Sequence, residues 1–272
     1  MMTHCGACGF GDKTVPTRWT NVLDTGANLV ECADCGVRFY DQPKLMHLAA
    51  AAFYNAPAYD AYIDRHVENG SPFMNTPEKR EYYERIRGGV YEGILDKLER
   101  AVGTLTRLYE AGASWGLFLK VAHARGIEAT GCDMSRRAAE LADGHVEHSP
   151  FLDATVPDAL DAVVSLDVIE HTETPGADLA RAFEVLRPGG GIVVKTFYDE
   201  WHDTADIDLS KPAPSGLPDI DNYLKAGYFG RSHIHHFTTE ALRNAIEGAG
   251  FGISLVVPHE TCGQVEMYGV KP

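Results

Sequence analysis

Two Cys-x-x-Cys pairs, Cys5/Cys8 and Cys32/Cys35, lie near the start of the chain with 23 residues between them, and a glycine follows each second cysteine. Four thiolates at such spacings suit one tetrahedral zinc ion. The trailing glycines free the backbone to turn its amides toward the sulfurs. With four protein ligands the site has no open position, so its metal is structural rather than catalytic. Two disulfides are the competing chemistry, and they belong to oxidising compartments. A redox pair would open a helix after a strand, and neither pair does.

A second candidate lies in LYEAGASWGLFL at 108–119, where Gly112, Ser114 and Gly116 alternate with other residues. Gly-x-Ser-x-Gly is the spacing of a hydrolase nucleophile elbow. That reading needs several strands and an oxyanion loop upstream, whereas the cysteine pairs and a helical stretch precede this one. The other reading is a nucleotide cradle. Gly112 permits a tight turn out of a strand, and Gly116 lets backbone approach a ligand at a helix start. Asp133 follows 17 residues after Gly116 at the end of the next predicted strand. An acid there can accept both ribose hydroxyls. NAD and S-adenosylmethionine (SAM) use this geometry alike.

Histidines form the third group. His171 lies in the run IEH, and His233, His235 and His236 lie in SHIHHF. On an extended segment His233 and His235 share a face, with His236 opposite. A metal site there requires a third ligand that the spacing does not supply. An imidazole is also suited to general-base work near neutral pH.

The surrounding elements predict how these groups are held. Residues 1–43 read as a zinc-ribbon-like module, with short strands in VPTRWTNVL and ANLVE. Residues 44–103 read as a helical segment with many tyrosines. Its main helix starts near Thr76, with Pro77 in the first turn, and Gly88-Gly89 argues against an unbroken run. From 104 to 272 strands and helices alternate, predicting a parallel α/β sheet of Rossmann-like type. Ser135 reads as a helix cap. The run PGADLARAFEVLRPGG reads as a helix stopped by its proline and glycines, and GIVVKTF as a strand. Residues 199–232, rich in proline and aspartate, form an insertion. Cys132 and Cys262 read as small buried apolar residues.

The 272 residues suffice for one large domain with an appendage. A formal charge of −15 disfavours a nucleic-acid partner. The start lacks a basic, apolar leader and no apolar run is long enough to span a bilayer, so the expectation is a cytoplasmic protein without membrane contact.

Several motifs together resemble class I SAM-dependent methyltransferases. LYEAGASWGLFLKVAHARGIEATGCDMS resembles the first two motifs of that family, with Ser114 replacing the usual glycine. DAVVSLDVIEHTETP and the LRPGGGIVVKT turn resemble the fourth motif and the fifth strand, and GRSHIHHFTTEALRNAIEGAGF resembles a segment of one branch. That branch often carries amino-terminal cysteine knuckles. The resemblance implies that Glu110 holds the methionyl amino group, with Gly112, Ser114 and Gly116 around its carboxylate. Asp133 is implied to bind the ribose and Met134 to pack on the adenine, framed by SPFL at 149–152. Leu166 and Asp167 are placed beneath the sulfonium. His233 and His171 are the candidate catalytic residues on the acceptor side. The implied reaction is methyl transfer to a small-molecule or sugar-like acceptor, with oxygen the expected target. The competing readings are an RNA base methyltransferase with a zinc ribbon, and a non-catalytic cofactor-binding or docking protein.

Overall fold

The computed structural model describes residues 5–8, 14–16, 29–41, 52, 54–57, 59–61, 63–64, 77–197, 233–259 and 263–272. The insertion expected at 199–232 and Cys262 lie outside the described residues.

Among the described residues, seven strands form the main sheet. In chain order they are β4 (Arg107–Ala111), β5 (Glu128–Asp133), β6 (Val146–His148), β7 (Leu160–Leu166), β8 (Leu186–Phe197), β10 (Gly252–His259) and β11 (Gln264–Val270). Their spatial order is β10-β11-β8-β7-β4-β5-β6. Strands β4 to β8 run parallel, and β11 lies antiparallel between β8 and β10. The chain therefore leaves β4 first toward β5 and later returns to pair β7 on its other side. Ligands of open α/β sheets bind at the carboxyl ends of the strands beside such a reversal.

The sequence accounts for most of this. LDAVVSL is a nearly unbroken apolar run, and β7 is buried on both faces at the sheet centre. Helices α1 (Pro77–Val102) and α2 (Leu117–Ala124) cover one face, and α4 (Pro175–Val185) and α5 (Thr239–Gly248) the other. Ser135 Oγ accepts from Ala138 N at 3.1 Å and caps the short α3 (Arg136–Glu140). At the amino ends of the strands, Asp161 accepts from Thr106 N and Oγ1 at 2.7 Å, Arg107 N at 2.9 Å and Arg187 Nε at 2.7 Å.

Two local expectations change. α1 runs unbroken through Gly88 and Gly89, whose Cβ positions face open space. Ile94, Leu95 and Leu98 are fully buried in the following turns, and such packing outweighs the propensity cost of about 1 kcal/mol per glycine. Helix α4 ends at Val185, before the LRPGG turn, because Leu186 already pairs with Leu160 as the start of β8. The register then shifts, so that Gly191 pairs with Ala162. Pro188 has no amide for the ladder, and a bulge absorbs the mismatch.

The cysteine segment carries β1 (Thr14–Pro16), β2 (Leu29–Cys32) and β3 (Arg38–Tyr40). A fourth strand, β9 (His235–His236), joins them from the far end of the chain, in the order β1-β2-β3-β9. Phe39 pairs with His235 and Arg38 with His236. The cysteines, Val37 and Phe39 share one hydrophobic core with Ile169, Leu179, Phe237 and the sheet.

Candidate cofactor and acceptor site

The cradle begins where β4 ends. Gly112 has φ 72°, Ser114 φ 48° and Gly116 φ 77°. A Cβ on Gly112 would overlap Val168 Cγ2, so only glycine fits there. Ser114 adopts the left-handed backbone that glycine accepts more readily. The turn is fixed by Ala113 N donating to Cys132 O at 2.9 Å and Gly116 N to Ala113 O at 2.8 Å. Gly116 then starts α2 without any side-chain cap.

Asp133 ends β5 beside this loop. Its carboxylate accepts from Ser114 N at 2.8 Å and from Ser135 N at 2.7 Å. Burial raises its pKa, and these two amides work against that rise. Each carboxylate oxygen can still accept another donor, as a ribose would require. Met134 follows, its carbonyl taking Asn55 Nδ2 at 3.0 Å and His148 Nε2 at 3.1 Å. Glu110 is 5% exposed, and its Oε2 has no hydrogen-bond partner among the described residues. Burial, and then the charge of Asp133, hold its pKa well above the carboxylate range.

Beyond the fourth parallel strand in the chain, β7, Leu166 lines the same cavity. Asp167 has φ 58° and donates its amide to Lys195 O at 2.7 Å. Its carboxylate accepts from Lys195 Nζ at 3.1 and 3.2 Å and from Gln264 Nε2 at 2.8 Å. Sequence reasoning missed Lys195 and Gln264. A single lysine within the apolar run GIVVKTF was the available signal, since a central strand buries charge only against a partner.

A cavity of ≈ 330 Å³ joins these groups, with Glu110, Ser114, Asp133, Asp167, His171 and Lys195 in its wall. A second of ≈ 250 Å³ adjoins it at Gly112, Asp133 and Met134 and continues past residues 149–152. The SPFL loop thus flanks the side where adenine is expected. The orphaned Glu110 oxygen and the strand-end carboxylate of Asp133 fit a cofactor carrying an amino group and a ribose.

The histidines divide. Glu170 and His171 share the 3-10 turn Ile169–His171, and the rings of His171 and His233 are 4.7 Å apart. His233 also packs on Phe197 at 5.6 Å. His235 turns instead into the cysteine module, stacking on Phe39 at 5.9 Å. Burial holds its pKa down to about 3, so it is neutral.

The four cysteine sulfurs lie within 4.8 Å of one another, with Cys5–Cys35 and Cys8–Cys32 both at 3.7 Å. A tetrahedron with Zn–S bonds of ~2.3 Å has edges of about 3.8 Å. The four thiols therefore fit a closed zinc site. Cys132 is buried, 1% exposed, and forms no disulfide among the described residues.

This sheet order, the glycine-bearing turn after β4 and the acid after β5 define a class I SAM-dependent methyltransferase fold, joined here to an amino-terminal cysteine cluster. The methyltransferase-domain family model matches residues 80–255, and the chain belongs to that family. Among curated proteins it is similar to the ubiquinone biosynthesis O-methyltransferase of Alkalilimnicola ehrlichii, 28% identical over 116 residues, covering 38% of this chain and 47% of the relative. The corresponding enzyme of Saccharophagus degradans is 28% identical over 109 residues, covering 36% and 46%. The chain thus spans about half the length of these relatives. Among solved structures, magnesium protoporphyrin IX methyltransferase from Synechocystis PCC 6803 with bound SAM aligns over 84% of this chain and 97% of its own, with TM-score 0.54 and 13% identity. Streptomyces venezuelae DesVI aligns over 68% and 92%, with TM-score 0.51 and 18% identity. At these identities the structures speak to the fold alone.

Proposed function

We propose that this chain transfers a methyl group from SAM to an oxygen of a small-molecule acceptor. The observation that carries the reading is Asp133, a strand-end carboxylate anchored by the amides of Ser114 and Ser135 and facing a cavity with His171 in its wall. SAM, when bound, supplies an electrophilic methyl group on a sulfonium. The chain's own residues hold and align the reactants. Glu110 and Asp133 meet the donor's polar ends, and the tight Gly112–Gly116 turn, fixed by its own amides, brings backbone close to the donor's carboxylate. Asp167 is held by Lys195 and Gln264 at the boundary between donor and acceptor. In-line alignment of this kind lowers the barrier without covalent help from the protein. His171 and His233 flank the acceptor, where an imidazole is suited to hold a hydroxyl proton.

The O-methyltransferase names of the curated relatives support an oxygen target. A small acceptor rather than RNA is supported by the net charge of −15, which repels a phosphate backbone. Incubation with radiolabelled SAM and fractionated metabolites, beside an RNA control, tests this. Label in a small hydroxylated product supports the reading, and label confined to RNA overturns it.

A further inference from the structure

We propose that Glu170, His171 and His233 form a second metal centre, holding one first-row divalent cation at the acceptor side of the cavity. One potential ligand atom from each residue lies within 4.8 Å of the others. Two imidazoles and one carboxylate are a donor set that binds first-row divalent ions and leaves coordination positions open. The cysteine cluster, by contrast, is closed by its four thiols.

Glu170 supplies the independent observation. It is 2% exposed, and neither carboxylate oxygen has a hydrogen-bond partner among the described residues. A buried carboxylate without donors is costly unless a cation or a proton compensates it. Lys195 is the nearby cation, and its ammonium is bonded to Asp167 instead.

The three residues are also held in place. Glu170 and His171 are consecutive in one 3-10 turn, and Ile234 N, next to His233, donates to Glu170 O at 2.7 Å. Of the three, His171 lies in the cavity wall, so an ion held there would be reached from the cavity on that side. The inference rests on the reading that this cavity takes a methyl acceptor, and it narrows the acceptor class. A cation with open neighbouring positions selects a small molecule with two adjacent oxygen donors, such as vicinal hydroxyls. In that state the imidazoles ligate the ion, and the acceptor hydroxyl, made more acidic by the cation, loses its proton to solvent.

The test is an electron paramagnetic resonance titration of zinc-loaded full-length protein with Mn²⁺, a hard ion poorly suited to the thiolate cluster. The same samples are titrated with S-adenosylhomocysteine. One bound Mn²⁺ per chain is expected, weakened at least tenfold in Glu170→Gln and in His171→Ala. Affinity for S-adenosylhomocysteine should remain nearly unchanged in both. If Glu170→Gln loses its fold, His171→Ala decides, because that residue is only half-buried in the cavity wall. No Mn²⁺ binding at millimolar concentration, or equal binding in the variants, overturns the metal centre. Failure to bind S-adenosylhomocysteine beside intact Mn²⁺ binding overturns the methyltransferase reading instead.

Discussion

Phe39 and His235 are register partners across β3 and β9, and their rings stack at 5.9 Å. One belongs to the cysteine module and the other lies two residues from His233, whose ring sits 4.7 Å from that of His171 in the cavity wall. Tyr40 N also donates to Ile234 O at 3.3 Å, so the module and the histidine segment share a ladder. The first knuckle is tied separately, by Gly176 N donating to Gly6 O at 2.8 Å at the start of α4.

Zinc should therefore matter beyond its own ligands. One zinc per chain should copurify, held by Cys5, Cys8, Cys32 and Cys35, as metal analysis would show. Its removal by chelation should speed amide exchange at residues 234–237 as well as in the module. Exchange in β5 should change little. Unaltered exchange at 234–237 would show that the ladder survives without metal.

Asp133→Ala should weaken S-adenosylhomocysteine binding by roughly 1.5–3 kcal/mol, the scale for losing a charged hydrogen-bond partner. Calorimetry measures this directly. An unchanged dissociation constant would remove Asp133 from the site.

Ser114→Gly should stabilise the protein by up to about 1 kcal/mol, because the left-handed backbone at φ 48° penalises a Cβ. Cofactor binding should persist, as the backbone amide that anchors Asp133 remains. Gly112→Ala should do the opposite and lose both stability and binding, since its Cβ would overlap Val168. Thermal melts with and without S-adenosylhomocysteine separate the two variants.

Asp161 governs acid stability far from the site. Burial acts to raise its pKa, but Arg187 and the donors of Thr106 and Arg107 outweigh it and bring it down to about 2. A carboxylate held below its unfolded value stabilises the protein above that value, about 3.9, and ceases to as pH falls through the folded pKa. Asp161→Asn should therefore cost about 1–3 kcal/mol at neutral pH. The deficit should shrink between pH ~4 and ~2. Urea unfolding across that range checks it, with cofactor affinity at neutral pH expected to match the parent protein.

His233→Ala should lower turnover by roughly 100- to 10,000-fold while leaving S-adenosylhomocysteine affinity nearly unchanged. Steady-state kinetics on the acceptor, beside a binding measurement, reads both quantities. Lost cofactor affinity would make His233 a structural residue.

What could be read from the sequence was local. The cysteine spacing, the turn after β4 and the acid ending β5 each lie within a few residues of the backbone that shapes them. The Ser135 cap and the buried β7 followed from side-chain type and apolar pattern. The fourth strand of the cysteine sheet was not legible, because β9 is two residues long and pairs with a segment at the other end of the chain. The clamp on Asp167 was hidden likewise, since Lys195 and Gln264 come from neighbouring strands. Glu170 became a candidate ligand only when the fold set its turn against His233. The long α1 was misjudged at Gly88-Gly89 because tertiary packing, invisible to a propensity argument, holds it straight.

The pairing of β3 with β9 also sets an order of events during synthesis. The zinc ligands all lie about 200 residues ahead of β9, so the ion can be captured before that strand is made. Strand β3 then waits for its partner at 235–236. At translation rates of roughly 5–20 residues per second, that wait is about 10–40 s. Throughout it the nascent chain presents an open β-edge to chaperones and to its neighbours on the polysome.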